Sequence, residues 1–542
     1  MPQTACEAEQ CARHGESETE PAAKQFVASS CPLRRARKEQ KVFARTILLR
    51  NQRLRIMRTS IFFPIVMIAL SVGTHAVGAV PSAELPPLHE RDMQSNPLYV
   101  QAGNAHASPD VTISIDYSTL LLKSNVTFGV THTHYAWQNG NATAIARAKE
   151  LMKSLNGFQN THIMGWGPGA IKTDADGVPS NLDSVLTVHV NKVTELGQGM
   201  ITFCTAPGWM KPGGTGDPNS SQGDWTMEQA PLPQFEDAFA TLCAEVAKKY
   251  TNVKYFQVWN EFKGMWSASK NAWDYERYTR FYNKIFKKVK AVRPDALIGG
   301  FYQVIPGDGS AEVLGSTGNA THLPIDQKTR DGIAYFLKNA EGMDFFCIDK
   351  GIVSYHNPNG RTYTNEQIIK LTPMWEYLMS EIVKALGDRK VPIILSEYYG
   401  SVDRRPGGLG TGDDSYTVEQ YATCQYASVY NHIIRGSAGR EIWMLLWMEA
   451  GNSFPQNSIF SATTTADGGQ PRRTYWLMKA YKDWFNHVEL VQTTSSFSEV
   501  EIIASTEAAM VINKRNAKVN VNVDGKGITL PAYGVALLDM KK

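Results

Sequence analysis

The chain has 542 residues, 43% hydrophobic and 20% charged, which allows a large core and more than one folded unit. Its net charge of +3 is uneven: residues 1–60 carry 12 Lys and Arg against 6 Asp and Glu, the remainder 43 against 46. A mildly acidic body argues against a nucleic-acid partner.

Residues 1–56, with the basic run RRARKEQK (34–41), read as a disordered extension or as a nucleic-acid or targeting patch. From Met57 the pattern changes. Arg58 precedes an apolar stretch, Ile61 to Val72, and the small residues Ala76 to Ala79 suit cleavage, so 57–79 reads as a signal peptide. The protein is then expected to be secreted, extracellular or periplasmic, with no stable membrane association after cleavage. An uncleaved anchor is the alternative, because Ile61 to Val80 lacks formal charge; Pro64, Thr74 and His75 weaken it. Residues 80–110, rich in Pro, Asn and Ala, are expected to form a loosely ordered linker.

VTISIDYS (111–118) alternates apolar and polar residues and precedes a long stretch of different character. From residue 125, eight strand-like runs are separated by helical ones. They are NVTFGVTHTHY (125–135), NTHIMGWG (160–167), MITFCTAPGW (200–209), VKYFQVWNE (253–261), ALIGGFYQ (296–303), FFCIDKGIVSYH (345–356), PIILSEYYG (392–400) and EIWMLLWM (441–448). Parallel strands with crossover helices follow from that order, and eight repeats predict an α/β fold, a (β/α)8 TIM barrel over 121–487. An open doubly wound sheet would need a glycine-rich phosphate loop after its first strand, and THTHYAWQNG is not one. Beyond residue 488 short strands and turns such as VDGKG replace the helices. An accessory β-sandwich is expected there, built from 488–542 together with a strand at 111–120.

Of the seven cysteines, Cys204, Cys243, Cys347 and Cys424 lie inside predicted strands or helices, far apart, and read as buried free thiols.

Two of the strand-like runs end on a carboxylate: Glu261 closes the fourth and Glu397 lies near the end of the seventh. Period-2 alternation groups Glu261 with Gln257 and Trp259, and Glu397 with Ile393 and Leu395. Both acids then stand at the carboxyl ends of barrel strands, where catalytic residues collect. Two converging carboxylates suit cleavage of a glycosidic bond, one giving a proton to the leaving oxygen, the other attacking the anomeric carbon. The partner's charge, with packing by Trp259 or Trp266, is expected to keep the acid protonated.

Trp259-Asn260-Glu261, Ser396-Glu397 and Trp447 on the eighth strand together resemble the clan A retaining glycoside hydrolases. Ser354-Tyr355-His356, taken with the sixth strand, resembles family 39 of that clan, the β-xylosidase and α-iduronidase type. The resemblance implies Glu261 as acid/base and Glu397 as nucleophile. It further implies Asn260 on the sugar 2-hydroxyl, Tyr355 and His356 orienting nucleophile or substrate, and Trp447 flooring the pocket. His132, His134, Trp166 and Tyr399 complete the expected substrate-binding set. The continuation Phe262-Lys263 departs from the Asn-Glu-Pro usual in the clan.

Two other readings stay open. His132 and His134 ending the first strand, with His356, could ligate zinc as in metal-dependent amidohydrolases. The aromatic residues at strand ends could alternatively serve a carbohydrate-binding barrel without catalysis. The expectation adopted is a secreted retaining glycosidase acting on an oligo- or polysaccharide, with no metal and no cofactor.

Overall fold

Eight of the apolar runs are buried on both faces, as strands walled by helices must be. In the computed structural model, which describes residues 93–131, 140–163, 171–214, 229–305, 325–349, 364–400, 415–447 and 458–541, they form a closed parallel barrel. The strands are Val126–Thr131, Phe158–His162, Gln198–Phe203, Tyr255–Val258, Leu297–Val304, Phe345–Asp349, Ile393–Tyr398 and Ile442–Trp447. They pair in chain order, and the eighth closes on the first with Ile442 opposite Val126. The sixth strand is described as far as Asp349. Residues 350–363, including Tyr355 and His356, lie outside the described residues, as do His132, His134, Trp166 and everything before Asp92 inclusive. Among the described residues no helix is long and apolar enough to cross a membrane.

The barrel interior is layered. Phe158, Tyr255, Phe345 and Trp443, one from each even strand, form an aromatic floor; Phe158 and Trp443 have ring centroids 4.4 Å apart and Phe345 and Trp443 5.2 Å. Layers of four side chains from alternate strands are how such barrels fill their interior. The fifth strand makes room with Gly299: a Cβ there would come within 2.0 Å of the Phe345 ring. Gly299→Ala is therefore expected to cost about 1–3 kcal/mol through overpacking, read as a lowered melting temperature. Above the floor lies a polar layer. Asn160 donates to Thr131, Thr202 donates to Asn160, Gln257 donates to Thr202, and Ser396 donates to Gln257. This chain joins five strands and satisfies buried polar groups that would otherwise be costly.

Amphipathic helices cover the outside. Glu236–Lys249 buries Phe239, Leu242, Cys243 and Val246, and Tyr275–Val292 buries Tyr278, Phe281, Tyr282, Ile285 and Val289, all at helical spacing. Asp274 caps the second by accepting from the Arg277 amide. Cys204, Cys243, Cys347 and Cys424 are free and buried.

Val111–Lys123 runs past the barrel to pair antiparallel with Glu489–Ser495 and parallel with Val519–Val523. The resulting five-stranded sheet shares an apolar layer with a three-stranded sheet of Val500–Ala504, Ala508–Asn513 and Val535–Asp539; Ile113, Val521, Ile502 and Leu538 meet there. The expected loose linker is tied down from Met93 onward. Leu98 is buried, Tyr99 bridges to Leu537, and Gly103–Asn104 adds to the sheet edge beside Lys526 and Gly527. Its small polar residues suit an edge strand, whose backbone finds partners without side-chain packing.

Candidate active site

The fourth strand stops at Val258, and the chain leaves it through a tight turn. Trp259, Glu261 and Phe262 take left-handed φ values of 67°, 49° and 55°. Each costs roughly 1–2 kcal/mol for a residue with a Cβ. Packing holds the turn. Trp259 is buried between Phe239 and Phe281 on the helix side, its Nε1 donating to the Lys263 carbonyl at 2.8 Å. Phe262 stacks on Tyr278 at 4.0 Å. Alternation is broken here: Trp259 does not share the inner face with Gln257, and Glu261 is aimed by the turn. Trp266, 45% exposed, packs edge-on to Trp273 in a short hairpin.

Glu397 reaches the interior by a different irregularity. Ile393 and Leu395 belong to the helix-side core, whereas Ile394 points inward. Strict alternation would turn Glu397 outward. The pairing with the sixth strand slips, Ile348 opposite Leu395 and Asp349 opposite Glu397, so one extra residue bulges at Ser396. Ser396 and Glu397 therefore both face inward, as their bonds to Gln257 and Tyr302 require. A second slip, between Phe346–Gly300 and Ile348–Gln303, bulges the fifth strand at Phe301, where φ is 68°. That bulge sends Tyr302 inward. Its cost is offset by Tyr278, whose hydroxyl accepts from the Phe301 amide and donates to the Val258 carbonyl. Bulges that re-aim a side chain recur beside active sites.

Tyr302 donates to Glu397 Oε2 at 2.9 Å. Burial, then the charges of Glu397, Asp349 and Glu261, push the Tyr302 phenol far up, so it stays a donor. Carboxylate oxygens of Glu261, Asp349 and Glu397 all lie within 4.8 Å of one another. Lys263 Nζ is 2.8 Å from Glu261 Oε2. Asp349 is 2% exposed. Burial raises its carboxyl well above the usual range, helped by a hydrogen bond with Glu261 and the charges of Glu261 and Glu397, and opposed by Lys263. Asn260 is buried beside this group in sequence, its Oδ1 without a hydrogen-bond partner among the described residues.

The structure thus brings Glu261 and Glu397 together at the carboxyl ends of their strands. Tyr399 follows the seventh strand, half-buried. Trp447 ends the eighth, opposite Thr131. Three contributors were missed at the level of sequence. Asp349 carried the same signal as the two glutamates, an apolar run (FFCID) ending in a carboxylate, but was read as mid-strand. Tyr302 depends on a bulge, and Lys263 on the turn.

No protein-family model matches the chain, and no curated protein is similar to it in sequence. Among solved structures it is similar to a conserved exported protein from Bacteroides fragilis, with TM-score 0.52, 13% identity, and coverage of 79% of this chain and 99% of that one. It is similar to the catalytic domain of a GH30 xylanase C from Talaromyces cellulolyticus (TM-score 0.47, 12% identity, 78% and 98% covered). The same holds for a monomeric β-xylosidase from Caulobacter crescentus CB15 (TM-score 0.43, 12% identity, 76% and 83% covered). At such identities the likeness is one of fold, and the chain is a (β/α)8 barrel carrying an appended pair of sheets.

Proposed function

We propose that the protein is a retaining glycoside hydrolase that cleaves an oligo- or polysaccharide by double displacement, and that it is exported by the segment 57–79. The observation that carries this reading is the approach of Glu261 and Glu397 oxygens to within 4.8 Å at the mouth of the barrel. Carboxyl groups about 5–5.5 Å apart favour a covalent intermediate, since no room is left for a water between the second carboxylate and the anomeric carbon.

Glu397 is the attacking carboxylate. The Tyr302 hydrogen bond fixes its orientation. Its oxygen bonds to the anomeric carbon as the bond to the leaving oxygen breaks, and that oxygen takes a proton from Glu261. Water then attacks the anomeric carbon, its proton passing to Glu261, and Glu397 is released. Asn260 Oδ1, without a hydrogen-bond partner among the described residues, accepts from a sugar hydroxyl.

A screen of aryl xylosides, glucosides, galactosides, arabinosides and iduronides tests the reading against wild type, Glu261→Ala and Glu397→Ala. Glu261→Ala is expected to lose about 10²- to 10⁴-fold on substrates with a poor leaving group. It should lose much less on activated aryl glycosides, which need no proton. Activity that survives both substitutions refutes the assignment.

A further inference from the structure

The acid in this site has a difficulty. A general acid must hold a proton, yet Lys263 stands 2.8 Å from Glu261 and favours its anion. Something else must keep a proton available there.

Asp349 closes the described part of the sixth strand, 2% exposed, with a carboxylate oxygen within 4.8 Å of those of Glu261 and Glu397. The charged and titratable groups around it among the described residues are Glu261 and Lys263 from the turn after the fourth strand, Tyr302 from the fifth and Glu397 from the seventh. Among the described residues, three carboxyls in so small and dry a space face a single cation. Full ionisation would leave two uncompensated negative charges at low dielectric, so the cluster retains a proton instead.

We infer that Glu261 and Asp349 share one proton as a dyad, with Asp349 a positioning residue that stores the proton Glu261 delivers. The inference rests on the glycosidase reading for its catalytic consequence. The dyad carries one negative charge at rest, which Lys263 balances, while Glu397 is held by the Tyr302 hydroxyl. As Glu397 bonds to the anomeric carbon and the leaving oxygen departs, that oxygen takes the dyad's proton through Glu261. When water attacks in the second step, its proton returns to the dyad and Glu397 is freed. The two carboxyls titrate as one unit, losing their last proton only at high pH. Burial of Asp349 acts in the same direction.

The test uses the full chain with Asp349→Asn, which keeps size and a hydrogen-bond donor but cannot store a titrating proton. Lys263→Met is the second variant, because it acts with the opposite sign. Infrared difference spectra of the wild type near neutral pH should contain the carbonyl stretch of a protonated carboxyl, and Asp349→Asn should lack it. The basic limb of kcat/KM should move down by about one pH unit or more in Asp349→Asn and upward in Lys263→Met. Asp349→Asn should lose about 10²-fold on alkyl glycosides and far less on activated aryl glycosides.

No protonated carboxyl in the wild type, or an unmoved basic limb with equal losses on both substrate types, overturns the inference. So does stoichiometric binding of Ca²⁺ or Mg²⁺ to the wild type that Asp349→Asn abolishes, since a cation and not a proton would then neutralise the cluster. If the wild type cleaves no glycoside, the glycosidase reading fails while the infrared titration still decides whether the proton is there.

Discussion

Glu397→Gln should bind a glycoside ligand and fail to turn it over. The substitution keeps the shape of the side chain and a carbonyl oxygen for the Tyr302 hydroxyl, so the pocket is expected to persist. What it removes is the electron pair that bonds to the anomeric carbon and the charge that stabilises the positive transition state. Loss of a covalent nucleophile is expected to lower kcat by roughly 10⁴- to 10⁶-fold, equivalent to about 5–8 kcal/mol of transition-state stabilisation. Calorimetric binding of ligand with unchanged affinity, alongside lost turnover, is the expected pair of results. A binding protein without catalysis would show no turnover in the wild type to lose. A metalloenzyme would respond to chelator and retain turnover in Glu397→Gln.

The largest expected effect on stability lies far from the mouth. Glu501, 9% exposed, joins the small sheet directly to the barrel helix Ser415–Gly436 and, through His432, to the helix Met374–Leu386. Its Oε1 lies 2.5 Å from Lys514 Nζ and 2.9 Å from His432 Nε2, and its Oε2 accepts from Ser428 at 2.7 Å. His432 Nδ1 meets Glu376 at 2.9 Å. Glu501→Gln leaves the buried Lys514 cation without its carboxylate, for an expected loss of about 3–5 kcal/mol. The double variant Glu501→Met/Lys514→Met should recover most of that, because an apolar pair requires no desolvation of charge. Thermal unfolding of the two variants checks this. A double variant as unstable as the single one would contradict it.

The same network sets a pH window. Burial alone would raise Glu501, but His432 and Lys514 outweigh it and hold the carboxyl well below its usual range. Its contribution is fully present above the unfolded value of about 4.3 and is lost as pH falls through the folded value. For His432, burial works to lower the imidazole, and the charge of Glu501 with bonds to Glu376 and Glu501 raises it on balance. That contribution is fully present below the unfolded value of about 6.5 and is lost as pH rises through the folded one. Maximal support from the network therefore falls between about pH 4.3 and 6.5. Glu501→Gln should flatten the pH dependence of the melting temperature on both sides.

Much of the architecture was written locally. Eight apolar runs alternating with amphipathic ones, and the alternation of VTISIDYS against the C-terminal strands, are properties of short segments, and burial of apolar faces converts them into a barrel and a pair of sheets. Glu261 and Glu397 were legible because each closes or nearly closes such a run. Where the acids point was not. Alternation put Glu397 with Ile393 and Leu395, which face the helices. It put Glu261 with Trp259, which faces them too.

Sequence by itself determined the repeating strands, the two carboxylates at the mouth and the buried thiols, because each follows from a period or a composition within a few residues. Tertiary structure alone decided the bulges at Phe301 and Ser396, the turn at Trp259 and the meeting of Asp349, Glu261, Lys263 and Tyr302. A bulge is set by hydrogen bonds between strands far apart in the chain, and here by a tyrosine on a helix that satisfies the freed amide. Proton affinity is set by distance and burial, neither of which a one-dimensional pattern contains.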